Sequence, residues 1–445
     1  MEFGFSVKEA KDGVVIAKLR AGSPAYKSGV INEGDRILSL QWQNMELVNV
    51  EDASVGEVND ILSGGDHGSL TINLKKSDGT SKTAILQREK AESDDDIGKV
   101  KSFILAGARK IGFISLPAFY TDWTKGREGD KGCANDVAKE IIKLKKENID
   151  GLIIDLRFNG GGSAYEATEL SGLFIDVGPV GMIRTKNEKT VTLKDVNRGT
   201  IYDGPLILMV NGYSASASEM VAGTLQDYNR ALIAGSTTYG KATAQVILPL
   251  DTTINLEESL AGIRTDNYIK LTVEKLFRIT GNTAQEKGVI PDIHIPDPSE
   301  LSEEKEANEI AVIRSSTIQA NKYYQPYPAL PAGVLQSYAA ALIDSIAYFS
   351  RLAKYMATQK QDQTQKNVPL QIRALLEMQM NDTTGDEEDQ MGFSRPDFEV
   401  RYHAYETERM KADENLLETN ERWKKLLLRD PAINVCYRLA AKMAK

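Results

Sequence analysis

Hydrophobic positions along residues 1–92 come in short runs separated by turn residues. Val14-Val15-Ile16-Ala17, Arg36-Ile37-Leu38-Ser39-Leu40 and Leu70-Thr71-Ile72-Asn73-Leu74 are β-rich, and Asn32-Glu33-Gly34-Asp35 is a turn between two of them. With one helix-like stretch over 55–62, this predicts a small β-rich module. Glu92-Ser93-Asp94-Asp95-Asp96 then reads as a solvated linker.

From 98 to 297 the pattern changes. Apolar runs at 111–116, 151–156 and 206–210 have no polar alternation, so both of their faces are covered. Helical periodicity over 135–147, 164–173 and 218–228 separates them, and strands are predicted at 231–235 and 241–248. Buried strands alternating with helices predict a layered α/β structure. Residues 300–445 are charged and helix-rich, notably at 302–305 and 399–445, with loops predicted at 359–365 and 381–389.

The chain has 445 residues, room for about three domains, and 41% hydrophobic with 26% charged residues is ordinary globular composition. A net charge of −9 argues against nucleic-acid binding. No apolar run reaches the length of a membrane span. Met1-Glu2-Phe3-Gly4 has neither the basic nor the apolar region of a signal peptide. Because the first residues already read as part of a module, an upstream leader is expected. Cys133 and Cys436, the only cysteines, are expected as two unpaired thiols.

Three histidines limit the chemistry: His67, His294 and His403 form no metal-ligand spacing, and no Gly-x-Ser-x-Gly elbow accompanies them. They read as surface or locally bonded side chains. Three other stretches remain. Asn211-Gly212-Tyr213-Ser214-Ala215-Ser216-Ala217-Ser218-Glu219 joins an apolar strand to a helix, where small residues and helix amides suit developing negative charge. An ordinary N-cap at Ser216 or Ser218, with Glu219 in the first turn, explains the same residues. Tyr239-Gly240-Lys241-Ala242-Thr243-Ala244-Gln245 opens a predicted strand on which Lys241, Thr243 and Gln245 share a face. Desolvation there would free a neutral amine to act as base, oriented by Gln245. A solvated edge lysine is the plain alternative. Asp155-Leu156-Arg157-Phe158-Asn159-Gly160-Gly161-Gly162-Ser163 leaves bare amides fit for an oxyanion or a phosphate, or is simply a glycine turn. It lacks the P-loop and dinucleotide signatures.

In order and register, these three motifs resemble peptidase family S41, the C-terminal (tail-specific) processing peptidases. Glu286-Lys287-Gly288-Val289-Ile290-Pro291-Asp292-Ile293 resembles the family's closing segment. The resemblance covers about 1–297 and implies an α/β core of the ClpP/crotonase-like layered type in a multi-domain α+β chain. It implies Ser216 as nucleophile, Lys241 as general base and Gln245 as the lysine-orienting residue. The oxyanion hole falls on the amides of Ala217 and Gly162, with Gly161 as fallback. Ala242 stands where many members have Gly, a small departure. Phe3-Gly4-Phe5, Gly22-Ser23-Pro24-Ala25 and Glu33-Gly34-Asp35-Arg36 are similar to a PDZ module, whose loop amides hold a terminal carboxylate.

The expected division is thus a PDZ-like module at 1–92, a peptidase core at 98–297 and a helical C-terminal extension at 300–445. The last part resembles tail-specific members in composition more than in motif. The resemblance implies a serine endopeptidase with a Ser-Lys dyad, without metal or organic cofactor, in the periplasm or otherwise exported. Its partners would be proteins or peptides with exposed apolar C-termini, with an adaptor or regulatory lipoprotein as a further candidate and neither nucleic acid nor an integral membrane segment. A catalytically silent peptide-binding scaffold of the same fold is the alternative. An acyl-CoA enzyme of the crotonase type is disfavoured by the PDZ-like module and the serine–lysine pair.

Overall fold

The computed structural model describes residues 3–10, 13–19, 23–63, 69–76, 78–87, 99–121, 132–186, 190–251, 253, 267–364, 393 and 396–444. His67, the linker at 92–96 and the loop expected at 381–389 lie outside them. The chain forms two compact units, Met1–Gly98 with Asp413–Thr419, and Lys99–Ala412 with Asn420–Lys445.

The first unit is built on six strands, β1 (Phe5–Ala10), β2 (Gly13–Leu19), β3 (Arg36–Trp42), β4 (Val48–Asn49), β5 (Ser69–Lys75) and β6 (Ser81–Gln87). They run in the order β1-β2-β3-β5-β6, with β4 on β3. Helices α1 (Pro24–Lys27) and α2 (Val55–Ser63) complete it. In β5 every second residue faces inward: Leu70, Ile72 and Leu74 are fully buried in one core with Ile16, Ile37 and Leu40.

In the second unit a seven-stranded sheet has the order β16-β13-β12-β9-β8-β7-β17. Its strands are β7 (Lys101–Gly107), β8 (Lys110–Ser115), β9 (Gly151–Asp155), β12 (Leu206–Val210), β13 (Leu232–Gly235), β16 (Ile293–His294) and β17 (Phe398–Arg401). From β8 through β16 the pairing is parallel, while β7 and β17 add an antiparallel edge. A second sheet, all antiparallel, has the order β11-β10-β15-β14, from β10 (Gly178–Thr185), β11 (Thr190–Asp195), β14 (Thr243–Pro249) and β15 (Tyr268–Phe277).

The unbroken apolar strands are explained by cover on both faces. Leu152 and Ile154 of β9 face one layer, with Val137 and Ile141 of α3 (Cys133–Lys146), Leu170 of α4 (Ala164–Gly172) and Val221 of α5 (Ala217–Asp227). Ile153 points the other way, into a layer made by α6 (Ala332–Ser345), α7 (Ala347–Thr364) and α10 (Pro431–Met443). Helices α8 (Ala404–Ala412) and α9 (Glu414–Arg429) precede α10. The C-terminal residues are thus the second wall of the sheet: Ile433, Val435, Tyr437 and Leu439 are buried against it. Each such side chain contributes on the order of 1.5–3 kcal/mol.

Two local expectations fail. The loop predicted at 359–365 is helical through Thr364, since the stretch holds neither glycine nor proline to end α7. The helix expected at 302–305 is absent, and only the 3₁₀ turns Pro298–Leu301 and Glu306–Asn308 flank that stretch.

Candidate active site

Strands β9 and β12 are parallel neighbours, so the segments leaving their carboxyl ends lie side by side. The two are tied together. The Asn159 carbonyl accepts the Ala215 N–H at 3.0 Å and the Ser218 hydroxyl at 2.8 Å, and the Ser214 hydroxyl donates to the Leu156 carbonyl at 2.8 Å.

Ser216 is the N-cap residue of α5, with φ 57° and ψ −111°. An N-cap ordinarily takes extended dihedrals, so a plain cap accounts for the position but not for the conformation. A non-glycine residue held there costs on the order of 1–3 kcal/mol, a strain that concentrates at functional sites. The sharp turn from strand to helix presents the half-buried serine at the helix N-terminus, where backbone amides favour negative charge.

The glycine turn closes on this serine. A Cβ on Gly161 would stand 2.8 Å from Ser216 Cβ and 3.0 Å from the Ala217 nitrogen, and one on Gly162 would stand 2.3 Å from the Phe119 carbonyl oxygen. Both have positive φ, 101° and 142°, so only glycine fits. The Gly161 N–H is already given to Asn159 Oδ1 at 2.9 Å. The bridge to Phe119 uses the Gly161 carbonyl and the Ser163 N–H, leaving the Gly162 N–H outside it.

Lys241 is half-buried and lines one pocket together with Ser216, Met220, Thr224 and Leu276, without a hydrogen bond between Oγ and Nζ. Strand β14 begins at Thr243, after Lys241, and its register shifts between Ala244 and Gln245. Lys241 therefore stands before the strand expected to carry it, while the extra residue of the irregularity, Val273, is on β15, and Thr243 and Gln245 stay within reach of each other. The Gln245 amide nitrogen donates to the Thr243 and Thr272 hydroxyls, at 3.0 and 3.3 Å.

A buried carboxylate fastens these parts. Glu219 Oε2 accepts the Ser216 and Lys241 N–H groups, each at 2.8 Å, while Oε1 accepts the Gly240 N–H at 2.8 Å and the Thr238 hydroxyl at 2.5 Å. Burial pushes its carboxyl up to about 7, against the pull of those hydrogen bonds. Glu219 lies in the first helical turn, as the sequence predicts, but its anchoring of the lysine loop is not in that reading; the available signal is its place beside the inward-facing Met220 and Val221.

Residues 110–295 match the family model described as Peptidase family S41, and residues 1–58 match that of the PDZ domain. Residues 110–295 are thus a domain of peptidase family S41. It is 32% identical over 312 residues to the tail-specific protease of Haemophilus influenzae, covering 69% of this chain and 43% of that protein. It is 30% identical over 280 residues to the carboxy-terminal-processing protease of Bartonella bacilliformis, covering 62% and 57%. Among solved structures, the photosystem II D1 C-terminal processing protease shares 23% identity over 66% of this chain and 72% of that one, at a TM-score of 0.37. The chain spans about half the length of the curated relatives it matches.

Within the S41 core a second ionic cluster was also missed from sequence. Arg157 Nη2 reaches Asp155 Oδ2 at 2.7 Å and Asp430 Oδ2 at 2.8 Å, pinning the end of β9 to the N-cap of α10. Two of the three histidines are among the described residues, and neither lines the pocket that holds Ser216. His294 bonds Glu300 at 3.1 Å, and the buried His403 bonds Glu140 at 3.3 Å. Cys133 and Cys436 are buried and unpaired, and burial pushes both thiols up. Among the described residues no three His, Cys, Asp or Glu side chains group as a metal site, and no helix is long and apolar enough to cross a membrane. In the PDZ domain Phe3 and Phe5 are buried and Gly4 has φ 80°, so neither ring is exposed at this loop.

Proposed function

We propose that the chain is a serine endopeptidase selecting substrates by their C-termini. The observation that carries this is the strained Ser216 at the mouth of α5, sharing a pocket with Lys241. In this scheme Lys241 Nζ takes the proton from Ser216 Oγ as it attacks the scissile carbonyl, then passes it to the leaving amine. The Ala217 and Gly162 amides hold the oxyanion; Gly161 is displaced from that role because Asn159 occupies its N–H. Gln245 orients the lysine amine by exchanging its present threonine partners. Water then hydrolyses the acyl-enzyme.

The loop Phe3-Gly4-Phe5 of the PDZ domain captures an apolar C-terminal tail through its amides. The organisation proposed is a PDZ domain at 1–92, a catalytic core at 98–297 and a C-terminal part from 300 whose helices wall that core. The same reading puts the chain in an exported or periplasmic setting, with an adaptor or regulatory lipoprotein as a further partner. A silent scaffold is the second reading; backbone strain kept at Ser216 favours the enzyme.

The test is a gel assay on an unfolded protein with an apolar tail, comparing this chain with Ser216→Ala and Lys241→Ala. Cleavage by the parent, loss in both variants and protection by a charged tail support the reading. Activity retained in Lys241→Ala removes the lysine from the scheme.

A further inference from the structure

Two aromatic rings stand beside the nucleophile loop and belong to neither layer of the core. Phe158 is 66% exposed and has φ 62°, an uncommon conformation for a bulky side chain. Its ring stacks on that of Tyr213, with centroids 5.7 Å apart and planes at 22°. One fully buried side chain holds both residues: Asn211 Oδ1 accepts the Phe158 N–H at 3.0 Å and the Tyr213 N–H at 3.1 Å. Phe158 runs directly into Asn159, whose carbonyl anchors Ala215 and Ser218 on either side of Ser216. Neither ring lines the pocket shared by Ser216 and Lys241.

A stacked pair in a core is explained by burial. Here the backbone is strained to keep a large apolar ring in water, and a buried asparagine fixes the strain. We propose that Phe158 and Tyr213 form a second apolar subsite, which takes an aliphatic or aromatic side chain of an extended peptide substrate flanking the scissile bond. This rests on the proposed peptidase reading, and it assigns part of the substrate choice to the core itself rather than to capture of a C-terminus.

The experiment measures peptide affinity in the full chain carrying Ser216→Ala, so that turnover is not needed. The probes are C-terminally amidated peptides, which cannot offer a terminal carboxylate to the PDZ domain, with Leu or Ser placed at each position in turn. The expected result is two positions at which Leu binds roughly tenfold tighter than Ser, the scale of one apolar side chain in a pocket. Phe158→Ala should abolish that preference at one position and leave the other. Phe158→Asn removes the ring but suits left-handed backbone, so it should lose the same preference while its thermal midpoint stays level or rises. A merely structural Phe158 would instead lower the midpoint and leave both preferences. Preferences unchanged in both variants, or absent from the parent, overturn the subsite. Cleavage by the chain with Ser216 restored is scored separately, so an inactive enzyme with an intact, Phe158-dependent preference would sink the peptidase reading and leave the subsite standing.

Discussion

The backbone amides of Ser216 and Lys241 end on one oxygen, Oε2 of Glu219, at 2.8 Å each. The strained turn that presents the serine and the loop that presents the lysine are thereby fixed to each other through a single buried group. Glutamine in its place offers one acceptor oxygen and turns an NH2 group toward N–H donors. Hydrogen bonds to charged groups contribute about 1.5–3 kcal/mol each, so Glu219→Gln should lower kcat by about two orders of magnitude with little change in KM. The measurement is steady-state kinetics normalised by titration with a serine-reactive probe. Unchanged turnover per titrated site would make Glu219 a bystander.

The same carboxyl predicts opposite pH trends for activity and stability. Burial raises it from 4.5 to about 7, while the Thr238, Ser216, Gly240 and Lys241 donors favour the ionised form. Lys305, whose charge couples to Glu219, donates to the Gly212 and Thr237 carbonyls rather than to the carboxylate. Protonation places a hydroxyl among donors, so activity should fall as pH drops through about 7. Stability runs the other way. Between 4.5 and about 7 the folded chain holds a proton that the unfolded chain has released. The group's contribution is therefore full below that window and is lost as pH rises through it, by about 3 kcal/mol in all. Urea unfolding at several pH values should show the parent losing stability relative to Glu219→Gln as pH rises; parallel curves would contradict the assignment.

What was legible in the sequence follows from how local its cause is. Strands β9 and β12 were readable because both faces are apolar, and the serine and glycine segments because small residues mark tight turns. The partner of the second face was not readable. Helix α10 is far along the chain, and nothing in Leu152-Ile153-Ile154 says which helix will cover Ile153. Lys241 reads from sequence as the first residue of a strand that in the structure begins only at Thr243, since an alternation count fixes a strand's end less well than its middle. The anchoring role of Glu219 is not legible because three of its four donors are backbone amides, which every residue except proline carries.

The Arg157 cluster gives the C-terminal residues a measurable role. Asp430 both caps α10, accepting the Ala432 and Ile433 N–H groups at 2.9 and 3.1 Å, and pairs with Arg157. Asparagine keeps the cap but not the charge. Asp430→Asn should cost about 1–3 kcal/mol through the ionic contact alone, and Asp430→Ala about 1 kcal/mol more through the lost cap. Urea midpoints of the two variants check this. Equal costs would mean that the cap contributes nothing.

The dihedrals of Ser216 make a prediction that separates strain from chemistry. At φ 57° and ψ −111° a Cβ is in conflict with its own backbone, and alanine has the same Cβ as serine. Glycine has none. Ser216→Ala and Ser216→Gly should both abolish cleavage, but the glycine variant should be the more stable. Relief of about 1–3 kcal/mol of strain outweighs the 0.5–1 kcal/mol, roughly, that glycine loses in chain entropy. Denaturant unfolding of the two inactive variants reads the difference directly, with catalysis absent from both. A glycine variant less stable than the alanine variant would mean that the turn is relaxed, and that the argument from strain to nucleophile fails.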